Sequence, residues 1–310
     1  MKLSKITIGY IELSLAQIFL SVNIIVGKIL APICPIFSLL TFRFFVGFSI
    51  LSVCLYFAGF WQQIYSEIKR LEKHDWILLF LQSLFGGFLF NVLILYGLQR
   101  TNAIITSIIN STTPIFVALL SFLVLKETLS KTKIMAILLA VLGILLLGIK
   151  SVNLPDRGTE LLGLLFVFLS TISAAVFIVL SKMSSVSINP LTNIMSINLL
   201  NAFLFLPLAL NNEQGLSLDY PLLRWIQIMV YGISGSVLFF VLWYRGLRSV
   251  TANTAALFIG IMPISTSLFA FLFLKESVSR LEALGVLCVI TSLYIGLARQ
   301  SPQSHLALES

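Results

Sequence analysis

The sequence predicts an all-α membrane protein with ten transmembrane helices, folded as two inverted five-helix repeats over 8–149 and 160–298. Three observations carry that expectation. The 310 residues are 58% hydrophobic and only 10% charged, whereas soluble domains carry about 25% charged residues. So few charges cannot coat a water-soluble chain of this length. The apolar residues also gather in runs of about 20, the length at which a helix crosses ~30 Å of hydrocarbon. Finally, the segment GLQRTNAIITSIINSTTPIFVALLSFLVLKETLS, Gly97 to Ser130, returns without a gap as GLRSVTANTAALFIGIMPISTSLFAFLFLKESVS, Gly246 to Ser279. Twelve of the 34 paired positions are identical, among them Pro114/Pro263 and Lys126-Glu127/Lys275-Glu276. Chance apolar similarity would not place a mid-segment proline and a terminal Lys-Glu pair.

Span one (8–30) follows Lys2 and Lys5, as a secretory signal would. It is too long for a signal's apolar region, contains Glu12 and shows no small-x-small cleavage site, so it reads as a retained span. Span two (36–60) carries Arg43 about seven residues from its outer end, roughly 10 Å deep at 1.5 Å per residue. Asn23 in span one lies at a similar depth. The polar loop 61–75, with Glu67, Lys69, Arg70, Glu72, Lys73, His74 and Asp75, reads as a solvated helix or turn. Span three (76–98) holds Asn91 and Tyr96; span four (102–125) holds Asn110, Ser111, Thr112, Thr113 and Pro114; span five is 132–149. A linker over 150–159, with Pro155 and Gly158 as helix breakers, leads to span six (160–181) and span seven (190–210). Span eight (222–244) has Ser234, Gly235 and Ser236 near its centre and Trp243 and Tyr244 near its inner end. Span nine (252–274) holds Asn253, Thr254 and Pro263, span ten is 281–298, and a polar tail begins at Gln300. The runs are continuous and do not alternate, which argues against a closed barrel.

Charge sets the orientation. Ten spans put both termini on one side. That side holds twelve basic residues, from Lys2 to Arg299, against seven on the other, among them Lys28, Arg100, Arg224 and Lys275. The bias places both termini in the cytoplasm. Five spans per copy is an odd number, so the second copy enters the membrane upside down relative to the first. The net charge of +8 is scattered over short loops and forms no face, so nucleic acid is not an expected partner.

Other function classes lack their residues. The cysteines Cys34, Cys54 and Cys288 have no metal-like spacing and read as apolar filler. The histidines, His74 and His305, fall in a loop and the tail. There is no nucleophile beside a base and no acidic pair at one depth, so neither an enzyme, a metal site nor a cofactor is expected. Two copies of an apolar unit are the usual signature of a secondary transporter. A non-transporting membrane sensor or scaffold is the alternative, and measured solute flux separates the two.

Two five-span units, each with a Gly-Leu turn, a mid-helix proline and a Lys-Glu end before its fifth span, resemble the drug/metabolite transporter superfamily, and its EamA type most of all. The resemblance runs from about Ile8 to Ala298. The proline-to-Lys-Glu pattern of span four is matched twice, at Pro114 to Lys126-Glu127 and at Pro263 to Lys275-Glu276. Arg43-Phe44 matches a pair common in span two of that family; the second copy departs, with Asn198 near the equivalent place. The resemblance implies a bacterial inner-membrane transporter of amino acids or related metabolites, usually an exporter. A single chain would suffice, homo-oligomers are compatible with it, and its partners are a small-molecule substrate and lipid.

Candidate site residues follow from the cost of polarity in lipid. Each proline lacks an N–H, which frees the carbonyl four residues earlier, at Asn110 and Ile259. Those kinks should face protein or a wet cavity, although prolines that only shape packing remain the alternative. Asn23, Arg43, Asn91, Tyr96, Asn110, Thr113, Ser236, Trp243 and Asn253 form the expected substrate-binding set, one suited to a small polar or amphipathic organic molecule. Arg43 reads either as an anion site or as a lock between spans one and two. Glu12 lies within about one turn of the cytoplasmic end, where it can snorkel. It is also the sole candidate for proton coupling within a span. The Lys-Glu pairs read as capped hairpin ends or as a gate, with Ser279 and Glu282 as a capping box.

Overall fold

The computed structural model describes residues 4–101, 103–110, 112–126, 157–211 and 219–274, with isolated positions between 131 and 142, at 216, and between 284 and 295. The described elements are all helical. Seven helices are long and apolar enough to cross a membrane, and Thr113–Val124 is a shorter apolar helix. Spans five and ten lie almost entirely outside the described residues. So do Pro155, Glu127, Lys275-Glu276, the Ser279/Glu282 pattern and the tail.

Local chemistry sets the helix ends. Ser4 caps span one (Lys5–Leu30), accepting from the Thr7 N–H at 3.1 Å. Span two is Ile36–Phe57. Span three starts at Lys73 with a reciprocal capping box between Glu72 and Asp75. Asn189 caps span seven (Pro190–Leu210), with Pro190 pre-set in its first turn. Gly158, expected as a helix breaker, instead sits in the first turn of the span-six helix Arg157–Ser187. Lys126 ends span four with a φ of 55°, the left-handed position that terminates many helices.

The 61–75 loop forms one of the two expected structures, the mostly exposed helix Trp61–Arg70. Its Glu67 turns inward and accepts from the Asn189 N–H and the Thr192 hydroxyl, each at 2.6 Å. This carboxylate therefore stands at the N-terminus of span seven, where the helix dipole favours it. Span four comprises two helices, Ala103–Asn110 and Thr113–Val124, with Pro114 in the first turn of the second. The Asn110 carbonyl freed by Pro114 accepts the Thr113 hydroxyl, and Thr112 donates to the Ile109 carbonyl at 2.7 Å. The Thr113 hydroxyl replaces the hydrogen bond that proline removes. Span nine is interrupted at the same place: Ala252–Leu257, a 3₁₀ turn over Phe258–Gly260, then Ile261–Leu274.

Spans three and eight share a feature that periodicity did not disclose. Each widens into a π turn, at Ser83–Leu89 and Ile233–Leu238. The register that pairs Gly97 with Gly246 lays one turn on the other. Each turn holds a glycine with no room for a side chain. A Cβ on Gly86 would lie 2.2 Å from the Phe177 ring, and one on Gly235 would lie 2.5 Å from Asn23 Nδ2.

Small residues set the packing between halves. Gly97 and Gly246 make no turn, contrary to their reading above; they lie in helices. A Cβ on Gly97 would meet Val167 at 2.4 Å, and one on Gly246 would meet Leu13 at 2.8 Å. These contacts let backbones approach as small residues do in membranes. They also give directions. The start of span one, at Gly9, meets the end of span eight, at Ser249, while Gly27 near its other end meets Tyr231. Span eight thus runs antiparallel to span one. Span three runs parallel to it, because Lys28 Nζ donates to the Leu98 carbonyl at 2.6 Å and to that of Thr101. Lys182, near the end of span six, does the same to Leu247 at 3.1 Å and Val250 at 2.8 Å. Both lysines cap the carbonyl end of a helix, where a cation is favoured. Spans two and seven pack through stacked Phe44 and Phe205, 5.8 Å apart. Away from the membrane helices, Cys34 is buried between spans one and two. Burial pushes its thiol pKa up, against the opposing pull of the Tyr220 hydroxyl and Arg224.

Candidate functional site

Between the halves lies a cavity of about 60 Å³, room for a few waters at the ~10–15 Å³ that each requires. Its wall comes from spans one, two, three and four on one side and six, eight and nine on the other. Both interrupted spans reach it, through Asn110 and Thr113 of span four and through Ile259 and Met262 of span nine. These are equivalent positions in the repeat. So are Phe90 and Phe239, which also face the space. Phe177, Phe240 and Trp243 complete a mostly apolar, aromatic wall.

Polar groups interrupt that wall at four places: Gln17, Arg43, Asn110 and Thr113. Arg43 is 3% exposed. Its guanidinium donates to Asn91 Oδ1, to the Tyr231 hydroxyl at 3.3 Å and to Ser236 Oγ at 3.3 Å. It also stands 5.2 Å from the Phe44 ring centroid and 5.0 Å from that of Tyr231. All these partners are neutral. Asn23 donates to the Tyr231 carbonyl at 2.7 Å, which ties span one to the same cluster. Asn110 receives Thr171 Oγ1 at 3.1 Å on its side-chain oxygen. Among the described residues, Gln17 Oε1, Asn110 Nδ2 and Trp243 Nε1 have no hydrogen-bond partner. All three residues line the cavity. Buried polar atoms are nearly always paired, so these three, with others elsewhere in the fold, leave hydrogen-bonding capacity in residues of the cavity wall.

A second polar cluster bridges the halves. Gln82 Oε1 accepts the Tyr244 hydroxyl and Ser184 Oγ, the latter at 3.2 Å, and Asn193 donates to Ser184 at 2.7 Å. Gln82 and Tyr231 are repeat equivalents, so each half places one such residue in a bridging cluster.

The similarity of the chain to known proteins fits this arrangement. Residues 7–149 and 161–297 each match the EamA-like transporter family. The chain belongs to the EamA-like transporter family. Within and around that family, it is 29% identical over 305 residues to the uncharacterized transporter YetK of Bacillus subtilis, covering 97% of this chain and 90% of that one. Protein PecM of Dickeya dadantii is 27% identical over 230 residues, 73% of this chain and 76% of its own. A crystal structure superposes with a TM-score of 0.72 over 96% of this chain and 98% of that chain, at 16% identity, a likeness of fold alone. Membership makes the chain an integral multi-pass membrane transporter.

The expected site residues divide. Arg43, Asn110, Thr113 and Trp243 line the cavity. Asn23 and Asn91 line a small adjoining space with Tyr231, and Ser236 reaches the cavity only through Arg43. Asn253 is buried but off the wall. Tyr96 is elsewhere: its ring lies 5.9 Å from Phe166, with the Arg100 guanidinium 5.7 Å away. Glu12 does not reach water alone; it pairs with Arg245 at 2.8 Å and stands off the cavity wall. Sequence reasoning missed Gln17, Gln82 and Tyr231. The signal for Gln17 was its spacing of four from Ser21, which puts both on one helix face; Ser21 donates to the Met262 carbonyl at 3.0 Å.

Proposed function

We propose that this chain is a secondary transporter that moves a small organic metabolite, an amino acid or related compound, out of a bacterial cell by alternating access. Its ten spans form two inverted repeats, 8–149 and 160–298, with both termini in the cytoplasm of an inner-membrane protein. One observation carries the reading: the cavity lies between the halves and is lined by repeat-equivalent positions from both, including both interrupted spans. A site on the pseudo-two-fold axis is the one place that rocking of the halves can expose to either side in turn. The antiparallel course of spans one and eight, with span three parallel to span one, supports opposite orientation of the repeats. Arg43, Asn110, Thr113 and Trp243 contact substrate, Asn23, Asn91 and Ser236 hold Arg43 and its surroundings in place, and Pro114 and Pro263 set the breaks. Exchange or facilitated movement fits the residues at least as well as proton coupling through Glu12.

The test is a metabolite release and uptake screen in cells with and without the protein, followed by flux in liposomes. Protein-dependent movement of a solute is the expected result. A folded protein that moves nothing, yet binds a solute, would be a sensor or scaffold instead.

A further inference from the structure

The charge at the cavity wall points to the class of substrate. Arg43 is a buried guanidinium with neutral partners only, and the one ion pair among the described residues is Glu12–Arg245. Among the described residues, no acidic side chain lines the cavity. The sequence offers none from the undescribed spans either, since Glu282 alone falls in 281–298 and no acid falls in 132–149. A buried charge persists in a membrane protein only where something balances it. Amide, hydroxyl and ring-face contacts do part of this, and the remaining field in the cavity is positive. Trp243, a residue only 1% exposed on the same wall, adds an N–H without a partner. An indole nitrogen can only donate. Gln17 and Asn110 supply amide ends, and the remaining wall is aromatic.

We infer that the transported solute, admitted when the halves part and widen a cavity that here has room for only a few waters, is an amphipathic organic monoanion: an aromatic carboxylate whose head lies between Arg43 and the Trp243 N–H and whose ring rests on the phenylalanines. This rests on the transporter reading and narrows its solute class, from an amino acid to a related carboxylate that lacks the ammonium group. It excludes cations, for which the wall has no counter-charge. It also ranks a zwitterion below the simple anion, because an ammonium group would be buried against neutral amides alone. Donors aimed at an acceptor that carries a full charge give the strong class of hydrogen bond.

Four ligands with one ring system test the charge directly: indole-3-acetate, indole-3-acetamide, tryptamine and tryptophan. Their binding to the purified full chain in detergent is measured by calorimetry at neutral pH. The acetate is expected to bind at least ~10-fold more tightly than the other three, the range that one charge-assisted hydrogen bond confers. Arg43→Gln should erase that preference and Arg43→Lys should retain part of it, since a lysine keeps the charge and loses the fork. Should Arg43→Gln fail to fold, Trp243→Phe keeps the ring and loses the donor, and it should weaken the acetate ~10-fold while leaving the amide within about twofold. Equal or tighter binding of the amide, amine or zwitterion overturns the inference, as does unchanged preference in folded Arg43→Gln. If the screen finds a transported solute but none of the four ligands binds, the inference fails and the transporter reading stands. If nothing is moved or bound, both fail.

Discussion

The two halves share a scaffold and differ in the chemistry they bring to the cavity. Each has a lysine near the end of its first span that clasps the carbonyl end of its third: Lys28 on Leu98 and Thr101, Lys182 on Leu247 and Val250. Each has a π turn, and each has a fourth span broken ahead of its proline. At the cavity, Phe90 and Phe239 aside, the likeness ends. Asn110 and Thr113 of span four share the cavity wall with Ile259 and Met262, their repeat equivalents in span nine. Asn91, which accepts from Arg43, has Phe240 as its counterpart, and Asn198 stands near the counterpart of Arg43 itself. At the rim, the Tyr96–Phe166 ring contact is answered by the Glu12–Arg245 ion pair. On the proposed alternating-access reading, the motion requires two matching levers, so what bends and hinges is repeated. The proposed solute has no two-fold symmetry, so most of what would touch it is not.

The largest effect should come from erasing that asymmetry. Arg43→Ala is expected to reduce transport by more than roughly 100-fold, because three neutral partners lose a charged donor at about 1.5–3 kcal/mol each. Lys131→Ala, which removes an exposed charge, should leave flux unchanged. Wild-type flux from both variants would show that Arg43 has no part in transport.

Next come the shared glycines. Gly86→Ala and Gly235→Ala should each destabilise the fold by about 1–3 kcal/mol through overpacking, read as earlier thermal unfolding in detergent. Gly235→Ala should also impair transport further, because its Cβ would fall 2.6 Å from Arg43 Nη2. Equal transport by the two variants would blur the distinction between scaffold and site.

The lysine clasps sharpen the comparison. Lys28→Met and Lys182→Met should cost similar amounts, about 1.5–3 kcal/mol, since each strips a charged donor from two carbonyls. A large difference between them in thermal unfolding would mean that the halves are not mechanically equivalent.

The smallest effect belongs to the rim. Arg245 is 60% exposed, so Glu12→Gln should cost less than ~1 kcal/mol and leave flux within about twofold. A flux that loses its pH dependence in Glu12→Gln would instead assign the proton-coupling role to Glu12.

Much of the architecture was legible because the bilayer enforces it. Lipid demands continuous apolar helices, and the repeated Pro and Gly-Leu positions stood out against that background. Arg43, Asn110, Thr113 and Trp243 were legible for the same reason, as polar or amphipathic groups at depth. The lysine clasps were not. Lys28 and Lys182 read as loop charges, and they pair only in the register that sets Gly9 on Gly163, which differs from the register of the later spans. The π turns were hidden because an extra residue in a helix leaves the hydrophobic run intact. Tyr96 misled because an amphipathic ring at a span end suits a packing contact as well as a cavity.

The central claim is that the halves stand in opposite orientations. In a chain with its three cysteines replaced, Lys126→Cys and Lys275→Cys place one thiol at each of two repeat-equivalent positions. An impermeant maleimide applied to intact cells should label the thiol at 275 and reach the thiol at 126 only after permeabilisation. Labelling of both from the same side would contradict the inverted arrangement and, with it, the mechanism built on the cavity.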